Sequence, residues 1–74
     1  MTENMKIALA ALRSYQESTP VEGWGTVYLD NAIPSDWSGR KWAGTLSSLA
    51  KVGLYEEIDD PDFKGDFGNV KMED

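Results

Sequence analysis

Neither cysteine nor histidine occurs in the 74 residues of this chain. Without thiols no disulfide can staple so small a fold, and no thiolate can hold a structural metal. Without imidazole the commonest general base is gone and zinc loses its usual nitrogen ligand, which leaves carboxylates, lysine, tyrosine and hydroxyls for chemistry. That inventory does not suit an enzyme, and it calls for neither a metal nor a cofactor. Long apolar runs are lacking as well. The longest near the start, from Ile7 to Leu12, is too short to span a bilayer and is broken at once by Arg13. Glu3 and Asn4 precede it with no basic segment leading in, which is not the pattern of a secretory leader. The expected setting is the cytoplasm, away from membranes, and the length suits a single domain, residues 1–74, around one core.

Positive charge is scarce and unevenly spread. The formal net charge is -6, yet the segment from Pro34 to Leu54 is net positive, with Arg40, Lys41 and Lys51 against Asp36. The acid gathers behind it. Glu56, Glu57, Asp59, Asp60, Asp62, Asp66, Glu73 and Asp74 face only Lys64 and Lys71.

What is present reads as helices followed by strands. Met5, Ala8, Leu9, Leu12 and Tyr15 recur at spacings of three and four and predict a helix over 4–17, capped by Thr2 or Asn4. The loop 18–25, rich in Ser, Thr, Pro and Gly, carries Trp24, expected as a core plug. Residues 26–33 are ambiguous: Thr26, Val27 and Tyr28 favour strand, whereas Leu29, Ala32 and Ile33 fall at helical spacing, and a short second helix ended by Pro34 is preferred. A central helix over 38–52 is bounded by Ser38, a capping hydroxyl, and Gly53, a glycine stop. Trp42, Ala43, Leu46, Leu49 and Ala50 collect on one side of it. The opposite side is Arg40, Lys41, Gly44, Thr45, Ser47, Ser48 and Lys51, with no acid at all. Residues 54–58 and 67–72 then read as two strands, with Val70 and Met72 on one face and Lys71 and Glu73 on the other.

The leucine-spaced helix running through Leu46 and Leu49 into Gly53-Leu54, followed by Ile58, a turn at Pro61 and a strand at Val70, resembles the recognition helix, first wing strand and wing of winged helix-turn-helix domains. With the first helix included, the resemblance covers nearly the whole chain. It implies an α+β fold of three helices plus a two-stranded wing hairpin, and a scaffold that serves either DNA binding or protein contact. On DNA, the first-turn residues Arg40 and Lys41 would reach base edges, with Gly44, Thr45, Ser48 and Lys51 along the same face. The wing departs from the DNA-gripping pattern, because Asp59, Asp60, Asp62 and Asp66 stand against Lys64 where such wings carry cations, and carboxylates repel phosphate. Those acids do not form a calcium loop either. Counted from Asp60, the fifth position is Lys64 and the twelfth, where a bidentate Glu belongs, is Lys71. Two functions of different class therefore stand open. One is a small DNA-binding transcriptional regulator, acting as a dimer, that places the 38–52 helix in the major groove of double-stranded DNA. The other is a non-enzymatic protein-interaction module that turns its acidic wing, residues 54–74, toward a basic protein partner.

Overall fold

The first helix of the computed structural model, α1 (Glu3–Ser14), starts where Thr2 accepts a hydrogen bond from the Met5 amide at 3.2 Å. It buries Met5, Ala8, Leu9 and Leu12 along one stripe, as the spacing predicts, whereas Tyr15, expected on the same stripe, is the exposed residue that caps the helix end. It stops three residues short of the expected Glu17. There the Glu17 amide donates instead to the Thr26 carbonyl at 2.6 Å, so the chain is drawn into extended pairing and cannot continue helical. Residues 1–59, 62 and 65–73 are described by the structure. Asp60, Pro61 and Lys64, which the sequence places at the hairpin tip, lie outside the described residues.

The elements then follow as β1 (Trp24–Tyr28), α2 (Leu29–Ala32), α3 (Gly39–Lys51), β2 (Tyr55–Ile58) and β3 (Phe67–Lys71). Among the described residues this is a small α+β domain of three helices and one three-stranded antiparallel sheet, in the order β1-β3-β2. The expected two-stranded hairpin is therefore corrected: β3 pairs with β2 on one side and with β1 on the other. The helix expected over 26–33 is corrected with it, since its first half is strand and only Leu29–Ala32 is helical. The physical cause is visible on the sheet face turned away from the helices, where the three β1 side chains meet partners directly across on β3. Trp24 lies opposite Lys71, whose Nζ is 5.0 Å from its ring centroid. Thr26 Oγ1 donates to Asn69 Oδ1 at 3.1 Å. Tyr28 and Phe67 stack at a tilt, with centroids 6.1 Å apart. Trp24 is thus half-buried on this outer face and does not plug the core.

The inner face of the sheet carries Val27 of β1, Gly68 and Val70 of β3, and Tyr55 of β2, all buried. Against them pack the stripes of α1 and α3, and Leu12, Leu49, Val27 and Val70 are the largest fully buried side chains. Leu46 and Leu49 are buried as expected, and Ile33 is partly buried against the same core. Arg13 closes the far end, its Nε donating to the Lys71 carbonyl at 2.8 Å, which ties the last turn of α1 to the last residue of β3.

Two short connections aim α3. After α2 the Ile33 amide returns to the Leu29 carbonyl, and the Trp37 amide to the Pro34 carbonyl at 3.0 Å, so the chain turns tightly into Ser38. Ser38 Oγ accepts from the Lys41 amide at 3.1 Å, which caps the helix. At the other end Gly53 takes a φ of 80°, and the Leu54 amide reaches back to the Leu49 carbonyl at 3.0 Å. A six-to-one bond closing around a left-handed glycine is the usual way to end a helix without orphaned carbonyls. Both boundaries read from the sequence hold.

Candidate nucleic-acid interface

α3 buries Trp42, Thr45, Leu46 and Leu49. The presence of Thr45 in that set corrects the sequence expectation, which placed it on the outer face. Its residue is 8% exposed, and its hydroxyl donates to the Lys41 carbonyl at 2.8 Å, so it has no free hydrogen-bonding capacity to offer as a donor. Ala43 and Ala50, expected inside, are exposed. The helix is rolled toward Thr45 relative to its apolar count. Trp37, half-buried in the preceding turn, meets the Trp42 ring edge to face at 6.0 Å and 73°, an arrangement that the ring quadrupoles favour.

The outward ridge that results is Arg40, Gly44, Ser47 and Lys51, spaced four, three and four residues apart and all exposed. Lys41 and Ser48 flank it. Lys41 holds its Nζ 4.3 Å from the Trp37 ring centroid, a cation–π contact that orients the ammonium beside the N-terminus of α3. Ser48 is half-buried and donates to the Gly44 carbonyl at 3.2 Å. Gly44 has no packing reason to be glycine, because a Cβ built there meets nothing within 4 Å. Of the six residues singled out for this face, Arg40, Lys41, Gly44, Ser48 and Lys51 share the outer side of α3 and Thr45 does not. Ser47 belongs to the ridge. Its spacing of seven from Arg40 is the signal that places it there.

On the flank formed by Ala43 and Ala50 the surface changes sign. A groove of about 400 Å³ opens between α2, α3 and β2. Its wall includes Tyr55, whose burial, with the carboxylates of Glu57 and Asp66 adding to it, pushes the phenol up to about 12. The hairpin acids Asp59, Asp62 and Asp66 are exposed; Asp60 is outside the described residues. Among the described residues no group of three or more acidic side chains is placed to hold a metal ion. No helix among them is long and apolar enough to cross a membrane. Set against known proteins, the chain matches no family model, no curated sequence and no solved structure.

Proposed function

We propose that this chain is a DNA-binding regulator on a winged-helix scaffold that lays α3 in the major groove. The observation that carries the reading is the outward ridge of α3. It is free of acid, it is small in the middle at Gly44 and Ser47, and it has a cation at each end in Arg40 and Lys51. Eleven residues of helix rise about 16 Å, so the two cations can reach phosphates on either wall of a groove about 12 Å wide. The small residues between them let the helix approach base edges closely. In support of the scaffold, a tight turn joins α2 to α3, and α3 runs directly into an antiparallel β2–β3 pair. The acid on that pair turns the hairpin away from phosphate, so α3 alone bears the contact, and two copies together supply the affinity that one acidic module of this size lacks.

A salt-dependent titration on duplex DNA tests it. Log affinity should fall linearly with log salt, and Arg40→Ala with Lys51→Ala should reduce the slope by about two while the melting temperature holds. Absence of binding at low salt, or a slope that the double variant leaves unchanged, would reject the reading. A second reading, a module contacting a basic protein partner through residues 54–74, is favoured by the exposed carboxylates of Glu57, Asp59, Asp62 and Asp66.

A further inference from the structure

The groove beside α3 is built from segments far apart in the chain, and its chemistry is two-toned. Leu29, Ile33, Trp42 and Leu46 supply an apolar floor. Asp30 from α2, Glu57 from β2 and Asp66 from the residue before β3 stand on its rim, all exposed. Among the described residues no lysine or arginine lines it, and Lys64 lies outside them. Three acidic residues from three segments thus line one apolar surface with no cation among the described lining residues, and a cation brought there would be attracted to them. Glu57 explains how the rim forms. It sits two residues beyond Tyr55 on the inner sheet face, in register with Gly68, and it stays exposed where the helices no longer cover the sheet. The Trp42 indole N–H is buried, with no acceptor among the described residues, and Trp42 is part of the floor.

We propose that this groove is a docking site for an arginine or lysine side chain, flanked by an apolar one, on a segment of a partner protein. A long cationic side chain matches both tones. Its methylene stem covers the leucine and tryptophan floor while its charged head stays at the rim among Asp30, Glu57 and Asp66. The size agrees, since about 400 Å³ lies at the low end of pockets that take small ligands, roughly 300–1,000 Å³, and so holds a side chain or two but not a helix. The inference deepens the second functional reading by placing its contact in the groove, and it does not depend on DNA binding.

The test is a nuclear magnetic resonance titration of the full isotope-labelled chain with an acetylated, amidated pentapeptide, Gly-Leu-Arg-Leu-Gly. The Trp42 indole N–H and the methyl groups of Leu29, Ile33 and Leu46 should shift and saturate. The peptide Gly-Ser-Arg-Ser-Gly should bind several-fold more weakly, and Gly-Leu-Glu-Leu-Gly not at all. The triple variant Asp30→Asn, Glu57→Gln, Asp66→Asn should lose most of the affinity. Because that variant changes three charges together, Ala43→Arg serves beside it. Ala43 is exposed and lines the groove, so an arginine there should occupy the site in cis and block the peptide without unfolding the chain. Shifts confined to Asp59, Asp62 and Glu73 would overturn the groove while leaving a basic partner for the hairpin. No shift anywhere would overturn both. Groove shifts that grow with protein concentration in the absence of peptide would assign the site to a second copy and overturn the proposal too.

Discussion

The side chain of Tyr55 occupies the space that a Cβ on Gly68 would need. A Cβ built there lies 2.6 Å from Tyr55 Cε2, 2.7 Å from its hydroxyl and 2.6 Å from the Glu56 carbonyl oxygen. Tyr55 is in register with Val70, so its ring reaches diagonally across β3 to the residue two positions back. The glycine is what lets a buried aromatic lie this close to the central strand.

Gly68→Ala should therefore cost about 1 to 3 kcal/mol, the usual range for forcing volume into a filled site. The carbonyl of Glu56 is held in the β2–β3 pairing and cannot step aside freely. Urea denaturation of the variant measures it, and an unchanged midpoint would show that Tyr55 does not lie over this residue.

Leu49 is fully buried where α3 meets the sheet and α1. Leu49→Ala should cost about 2 to 5 kcal/mol, most of the stability of a domain this small. Loss of a cooperative thermal transition, or a melting temperature lowered by many degrees, is the expected result.

Gly44 should behave in the opposite sense. With open space around its position, Gly44→Ala should stabilise α3 by about 0.5 to 1 kcal/mol through helix propensity alone. Gly44→Glu should share most of that gain and raise the melting temperature, yet weaken DNA binding, because it sets a carboxylate in the middle of the cationic ridge. Equal DNA affinity in the Glu variant would remove the ridge from the interface.

The raised Tyr55 phenol carries a pH dependence whose sign is fixed. In the unfolded chain it ionises near 10, whereas the folded chain holds it neutral up to about 12. Between those values the unfolded state binds fewer protons, so the stability that Tyr55 contributes is intact below about pH 10 and is lost as pH rises toward 12. Melting temperatures measured from pH 9 to 12 should fall across this window, and less steeply for Tyr55→Phe. Parallel curves for the two proteins would contradict the assignment.

Much of this architecture is legible in the sequence. Helical periodicity marked α1 and α3, Ser38 and Gly53 marked the ends of α3, and the burial of Leu12, Leu46 and Leu49 followed, because each signal lies within a few residues of what it controls. The strand β1 was not legible in the same way. Thr26, Val27 and Tyr28 favour strand while Leu29, Ala32 and Ile33 just after them fall at helical spacing, and what decides for strand over Trp24–Tyr28 is the row of partners on β3, with Thr26 bonded to Asn69 43 positions away. A local pattern cannot contain that information.

For the candidate interface the division is similar. Side-chain identity and helical spacing are enough to put Arg40, Lys41 and Lys51 on one side of α3 without an acid. How the helix is rolled depends instead on long-range packing, which local spacing does not contain. In the folded chain Thr45 lies inward while Ala43 and Ala50 are exposed. Tertiary structure alone also made the groove, since Asp30, Glu57 and Asp66 are separated along the chain and become neighbours only when β3 pairs on both sides and draws α2 and β2 to the same end of the sheet. Their charges were plain in the sequence, but their convergence is a product of long-range pairing.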